Sequence, residues 1–274
     1  MKENKYAVIG NPIKHSKSPQ IHSAFAQQEG VQIDYQRIHS EESCFTETVN
    51  NFIASGGLGM NVTLPFKIKA FRKCETLSDY AQAAQAVNTI SFNQQGDWIG
   101  ANTDGPGFLQ DLKTNLGLSL RNKNILIMGA GGSTRGILLP LLREYPYQLT
   151  IVNRTVEKAI SLADAFSQEG HLHACAYDDL GKQVYDLVIN ATSASINATL
   201  PPIPNNIVDS ESICYDLYYS DTRTSFMQWA DNLNVKKSCD GLGMLIEQAA
   251  ESYFIWRGFK PNTKEVFKLL RPVA

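Results

Sequence analysis

The stretch "NILIMGAGGSTRG", residues 124–136, limits the possible folds of this chain more than any other. An apolar run passes directly into Gly129, Gly131 and Gly132, and a helical pattern follows. Glycines there permit a tight turn and let the backbone come close to a phosphate. The free N–H groups and the positive end of the next helix then hold the anion. Such a triad is weak by itself, but here it stands between a strand and a helix, which is the context it requires. Thr134 occupies the usual third-glycine position, and Gly136 follows two residues later.

Short apolar runs and helical patterns alternate on both sides of this unit. "KYAVIG", "QIDYQRI", "GLGMNV" and "AVNTISF" read as strands, with "DWIG" paired to the last of them across "NQQG". "QLTIVN", "YDLVINAT" and "SICYDLYY" follow the glycine turn as further strands. "SPQIHSAFAQQEG" reads as a helix with Ser18 as N-cap, Pro19 at the first helical position and Gly30 as terminator. "NTDGPGFLQDLKTNLG" is expected to be helical as far as Gly117, and "TVEKAISLADAFSQEG" as far as Gly170. Pro140 should kink or interrupt the helix after the glycine turn. Helices in "GMLIEQAAESYFIW" and "TKEVFKLLRP" close the chain, with the "YFIW" aromatics expected in the core. The class is α/β, with parallel sheets covered by helices. A length of 274 residues suits two domains, with junctions near "TDGPG" and "SCDGLG".

Composition excludes several functions. The net charge of −2 is spread over 25 basic and 27 acidic residues, so neither nucleic acid nor a membrane surface is an expected partner. "ILLPLL" is far too short to cross a bilayer, and the apolar run at the N-terminus is too short for a signal peptide. The five scattered cysteines contain no C-x-x-C pair, which points to reduced thiols in a cytoplasmic protein. The histidines of "HLH" at 171–173 lack a third ligand, so no metal is expected.

The strand after the glycine turn ends in Asn153, Arg154 and Thr155. A carboxylate at that point would bond a ribose 2′-hydroxyl and repel a 2′-phosphate, whereas a guanidinium binds the phosphate. The expected cofactor is NADP. Elsewhere, polar residues cluster at element ends: Ser16 and Ser18 in "GNPIKHSKSP", Asn61, Thr63 and Lys67 in "NVTLPFK", Asn88 in "AVNTI", and Asp104 in "GANTDGPG". These are positions from which side chains can enter a cleft. His15 and His22 read as packing or cap residues.

Taken together, "GNPIKHSKSP", "NVTLPFK", "AVNT", "NTDG", "GAGGSTRG", "NRT", "INATS", "YDLYY" and "DGLGMLIEQAA" resemble the shikimate dehydrogenase family, in the family's order and over nearly the whole chain. The resemblance implies an N-terminal α/β substrate domain, residues 1–104, completed by helices in 239–274. A Rossmann-type NADP domain would lie between, at 105–238. It implies NADPH-linked reduction of 3-dehydroshikimate to shikimate, on the route through chorismate to aromatic amino acids, by a monomer or homodimer. Ser16 and Ser18 would bind the substrate carboxylate, with Tyr219 nearby. Asn61, Thr63, Asn88 and Gln248 would bind ring hydroxyls or shape the pocket, and Lys67 and Asp104 would form the polar pair at the reacting carbon. Gly129, Ala130, Gly131 and Gly132 would cradle the pyrophosphate, Asn153, Arg154 and Thr155 the 2′-phosphate, and Leu217 and Gly241 would lie near the nicotinamide.

These residue types suit the chemistry. Negative charge grows on the ketone oxygen as a hydride arrives, an ammonium stabilises it, and a carboxylate holds the ammonium. Either Lys67 or Asp104 can be the group that moves the proton. The chain departs from the family at Ser195, where glycine is common, and at Ser225, where proline is common. Tyr218 and Tyr219 would fall on opposite faces of a continuing strand, so a one-residue change of alignment would exchange them. The competing readings are a quinate/shikimate dehydrogenase with relaxed cofactor use and a non-catalytic NADP-binding regulatory protein.

Overall fold

The alternation becomes two separate six-stranded sheets in the computed structural model, which describes residues 4–271. The chain begins β1 (Asn4–Gly10), α1 (Ser18–Glu29), β2 (Ile33–His39), α2 (Phe45–Ala54), β3 (Gly57–Val62) and α3 (Lys67–Phe71). It continues β4 (Thr76–Leu77), α4 (Asp79–Ala84), β5 (Thr89–Phe92), β6 (Trp98–Ala101) and α5 (Asp104–Gln110). The second sheet is built by β7 (Asn124–Met128), α6 (Gly132–Leu142), β8 (Gln148–Val152), α7 (Val156–Ala165), β9 (Leu172–Cys175), β10 (Leu187–Asn190), β11 (Ile213–Asp216), α8 (Ser225–Asn232) and β12 (Lys237–Cys239). Helices α9 (Leu242–Arg257) and α10 (Thr263–Leu270) end the described chain. Two compact units result, one of residues up to Phe108 together with those from Leu245 on, the other Leu109–Met244.

In the first unit the order is β2-β1-β3-β5-β6-β4. Strand β1 is parallel to β2 and β3, and β5 is antiparallel to β3 and β6. Ala7 and Ile9 of β1 pack with Phe45, Phe52, Met60 and Phe66, while Tyr6 and Val8 pack with Tyr35 and Trp256. Burial on both faces explains why β1 reads as a continuous apolar run. Each large apolar side chain removed from water contributes about 1.5–3 kcal/mol. Helix α9 packs tightly on the sheet at Gly59, since a Cβ there would lie 2.4 Å from the Trp256 indole nitrogen. Trp256 also stacks on Tyr6 with ring centres 4.9 Å apart and donates to the Ile90 carbonyl at 3.0 Å. Of the "YFIW" aromatics, Tyr253 and Trp256 pack inward, but Phe254 is exposed, as is Ile255. A spacing of three on a helix selects only one face.

The second unit is wholly parallel, in the order β12-β11-β10-β7-β8-β9. Read from the β9 edge, its strands come third, second, first, fourth, fifth and sixth in this part of the chain. This is the doubly wound dinucleotide-binding order, with the reversal between β7 and β10. Leu126, Met128, Val152, Val188, Cys214, Phe226 and Trp229 form part of its core.

Several local expectations change. Lys17, not Ser18, holds the N-cap of α1, and Ser18 is the first helical residue. The proline ring of Pro19 tolerates either of the first helical positions, because neither needs its N–H. Helix α7 ends at Ala165, before Gly170, because Phe166 turns into the core and the chain leaves in tight i to i+3 turns. Helix α5 passes into a π-helical turn, Asp111–Asn115, around the buried Asp111, and Gly117 then takes a positive φ of 67°. Elements α2, α3, α4, β4 and β12 have no counterpart in the sequence reading, being short or lacking strong end signals.

Candidate active site and cofactor turn

Lys67 and Asp104 are each the first residue of a short helix, α3 and α5. They lie 37 positions apart in sequence, yet Lys67 Nζ donates to Asp104 Oδ2 at 2.5 Å. The lysine side chain is 29% exposed and the aspartate 14%, so the pair is firmly seated but within reach of a ligand. The Lys67 carbonyl accepts from the Val87 N–H at 2.9 Å, which ties α3 to the segment carrying Asn88. The Asn11 N–H donates to the Leu64 carbonyl at 2.9 Å, joining the loops that follow the parallel strands β1 and β3. Both loops contain a cis proline, at Asn11–Pro12 and Leu64–Pro65.

Behind the ion pair is a network of neutral side chains. Asn88 is buried and donates from Nδ2 to Asp104 Oδ1 at 2.8 Å, to Thr103 Oγ1 at 3.0 Å and to Gln248 Oε1 at 3.3 Å. Its Oδ1 accepts from the Thr103 N–H and from Thr89 Oγ1, each at 2.9 Å. Asn88 therefore aims the carboxylate that holds the lysine. Asn61 is likewise buried. Its Nδ2 donates to Ser252 Oγ at 3.0 Å and to the Asn88 carbonyl and Thr89 Oγ1 at 3.2 Å, and its Oδ1 accepts from the Tyr35 hydroxyl at 2.7 Å. Ser252 meets Thr89 Oγ1 at 2.7 Å and Thr103 Oγ1 at 3.1 Å, and donates to the Gln248 carbonyl at 3.0 Å. In a low-dielectric interior a fully paired network of this kind is rigid.

Ser16 and Ser18 are joined side chain to side chain at 3.1 Å, and Arg37 fixes the Ser16 carbonyl through Nε at 2.9 Å and Nη2 at 2.6 Å. Ser18 neighbours Tyr35: burial drives the Tyr35 phenol well above its ordinary pKa, and the Ser18 side chain opposes that rise. His22 stacks on Tyr35 with ring centres 4.4 Å apart. It is a packing residue, as expected. Burial lowers its pKa to about 3, the nearby Asn61 carboxamide acting in the opposite, smaller sense. Thr63 is half-buried in the turn before Lys67, its carbonyl accepting from the Phe66 N–H at 2.9 Å.

Sequence reasoning missed Tyr35, Thr89, Thr103 and Ser252. Thr103 could have been found beside Asp104, and Ser252 one helical turn beyond Gln248. Tyr35 carries no local signal.

In the second unit the residues after β7 suit a pyrophosphate. Gly129 has φ +102°, and a Cβ there would meet the Ala191 carbonyl oxygen and Thr192 Cγ2 at 3.2 Å. Around Gly131 and Gly132 a Cβ would meet nothing within 4 Å, so the backbone at the start of α6 is open to an anion. Thr134 fits the third-glycine position because its side chain turns inward, Oγ1 donating to the Gly129 carbonyl at 2.7 Å. Asn153 braces the turn, its Oδ1 accepting from the Ala130 N–H at 3.3 Å and its Nδ2 donating to the Thr155 carbonyl at 2.8 Å. Arg154 is exposed, and its charge reaches Tyr177, whose pKa burial nonetheless raises to about 12.

Gly241 is needed where it stands, because a Cβ there would lie 2.2 Å from the Leu217 carbonyl oxygen. Tyr218 and Tyr219 are both half-buried and stack with ring centres 6.4 Å apart. Strand alternation does not separate them, since β11 has already ended at Asp216. Among the described residues, no three His, Cys, Asp or Glu side chains are placed to hold a metal ion, and no helix is long and apolar enough to cross a membrane.

Residues 8–90 match the family model described as the shikimate dehydrogenase substrate binding domain. Residues 111–200 match that of shikimate / quinate 5-dehydrogenase, and 241–271 that of the shikimate 5'-dehydrogenase C-terminal domain. The shikimate dehydrogenase (NADP(+)) of Chromobacterium violaceum is 47% identical over 270 residues, 98% of each chain. An Ael1 enzyme from Pseudomonas putida, known as a crystal structure, is similar with a TM-score of 0.93 at 42% identity over 98% of each chain. The shikimate 5-dehydrogenase of Thermus thermophilus, solved in complex with NADP(H) and shikimate, has a TM-score of 0.86 at 28% identity, again over 98% of each chain.

Proposed function

The chain belongs to the shikimate dehydrogenase family, and from that membership we propose that it catalyses the reversible NADPH-dependent reduction of 3-dehydroshikimate to shikimate, on the route through chorismate to aromatic amino acids. The observation that carries this reading is the Lys67–Asp104 contact of 2.5 Å, aimed by Asn88. The Lys67 ammonium donates a hydrogen bond to the ketone oxygen and stabilises the charge that grows there. Asp104 keeps the lysine oriented, and the pair supplies the proton that completes the alcohol. Asn61 and Asn88 act mainly by shaping the pocket, because the protein itself occupies their amide hydrogens. Ser16 and Ser18 take the substrate carboxylate, and Thr63 and Gln248 its ring hydroxyls.

Gly129, Ala130, Gly131 and Gly132 hold the pyrophosphate, Asn153, Arg154 and Thr155 the 2′-phosphate, and Leu217 and Gly241 flank the nicotinamide. Bound there, NADPH supplies the hydride. The open backbone at Gly131 and Gly132 and the exposed guanidinium of Arg154 support this fit. Arg154, in place of an acidic residue, disfavours relaxed cofactor use, and the intact ion pair disfavours a non-catalytic role. The enzyme works in the cytoplasm on small molecules, as a monomer or homodimer; five free thiols suit a reducing compartment. The test is oxidation of NADPH in the presence of 3-dehydroshikimate, followed at the nicotinamide absorbance. Robust turnover, with NADH a poor substitute, is expected, and absence of turnover with intact cofactor binding overturns the reading.

A further inference from the structure

Between residues 191 and 200, Ser195 alone is buried. It begins a short 3₁₀ turn, Ser195–Asn197, in the loop that follows β10. Its Oγ donates to Asp216 Oδ2 at 2.5 Å and accepts from Asn190 Nδ2 at 3.1 Å. Asp216 is completely buried at the end of β11 and is held by four neutral donors. Besides Ser195 these are Thr224 Oγ1 at 2.7 Å, Asn190 Nδ2 at 3.1 Å and the Tyr218 N–H at 3.2 Å. One carboxylate thus ties together the end of β10, the following loop, the Tyr218–Tyr219 segment and the N-cap of α8. Within the loop, Asn190 Oδ1 accepts from the Thr192 N–H at 3.1 Å and from Thr192 Oγ1 at 2.7 Å.

The sheet order says what this loop faces. Strands β7 and β10 adjoin at the reversal point, and the pyrophosphate turn follows β7. Ala191 and Thr192 wall that turn, lying within 3.2 Å of where a Cβ on Gly129 would be. The residues suited to the 2′-phosphate follow β8, on the other side of β7. The second half of a dinucleotide must then extend over the ends of β10 and β11, where Ser195 and Asp216 stand.

We propose that Ser195 is a positioning residue: its hydroxyl, anchored on Asp216, holds the loop after β10 in the form that receives the nicotinamide half of the cofactor. This rests on the dinucleotide reading above. Without the hydroxyl Asp216 keeps three donors, so the sheet end survives, but the loop loses its inward anchor and must be ordered by the ligand at a cost in affinity.

The test measures equilibrium binding of NADPH and of 2′,5′-ADP, which carries only the adenosine and 2′-phosphate end, to the parent chain, Ser195→Ala and Ser195→Gly. NADPH should weaken about three- to tenfold in Ser195→Ala, the scale of one hydrogen bond, and further in Ser195→Gly, where backbone freedom is added. Binding of 2′,5′-ADP should not change. Unchanged NADPH affinity, or equal losses for both ligands, overturns the proposal. Should neither variant fold, hydrogen exchange on the unmodified protein decides. Slow exchange of amides 193–199 without cofactor supports a loop held in advance, and free-chain rates overturn it. A parent chain that binds neither ligand overturns the dinucleotide reading itself, and this inference with it.

Discussion

In the first unit the side chains around the Lys67–Asp104 pair come from β3, α3, the segment before β5, α5 and α9, and they bond mostly to one another. In the second unit the residues proposed for the phosphates lie in two short stretches, 129–132 and 153–155, and offer backbone N–H groups and an exposed guanidinium. On the proposed function, the difference follows from the task. Stabilising charge at one reacting atom requires an ammonium and a carboxylate held to a fraction of an ångström, which buried carboxamides and hydroxyls provide. Holding a phosphate needs many donors around a diffuse charge, which an open helix start and an exposed arginine provide.

The sharpest way to break this division is Lys67→Ala. Its kcat should fall about 10²–10⁴-fold, the range for a group in general acid–base catalysis, while NADPH affinity measured by fluorescence titration stays constant. A parallel loss of cofactor affinity would mean that chemistry and cofactor binding are not divided in this way. The converse variant is Arg154→Ala. Losing a charge-assisted bond of about 1.5–3 kcal/mol should raise the KM for NADPH about 10- to 100-fold and leave that for NADH nearly unchanged. Equal losses would remove the 2′-phosphate from the role assigned to Arg154.

Asn88→Ala sharpens the comparison within the first unit. It strips a donor from Asp104 and leaves the buried Thr103 N–H without its acceptor. Stability in urea should fall by about 1–3 kcal/mol. Steady-state assays should show kcat lowered about tenfold, through a misaimed carboxylate. If activity survives intact, the network supports the fold alone.

The smallest effect concerns His22. Its folded pKa of about 3 lies below the unfolded value near 6.5, so between those values the unfolded chain binds the proton and the folded chain does not. Stability should therefore decline as pH falls from about 6.5 towards 3. Denaturation midpoints measured over this range should slope less in His22→Gln than in the parent chain.

Legibility in the sequence followed the same division. The glycine turn, the adjoining strands and the exposed arginine after β8 could be located directly, because each is defined by neighbours a few residues away. Residue types alone left Lys67, Asp104 and Asn88 as separate polar residues at element ends, and only resemblance to a family joined Lys67 and Asp104 as a pair. The stacking of Tyr218 on Tyr219 escaped the reading because it depended on where β11 stops.

By itself, then, the sequence determined the α/β class, the glycine turn between strand and helix, and an arginine rather than an acid after the next strand. These rest on backbone freedom, apolar periodicity and the sign of one charge, all properties of contiguous residues. Only the tertiary structure decided that Asn88 aims Asp104 at Lys67, that Tyr35 and Ser252 occupy Asn61, and that Ser195 is anchored on Asp216. Each of those bonds joins residues 16 to 191 positions apart. Sheet order and helix packing, rather than local propensity, bring such partners within reach.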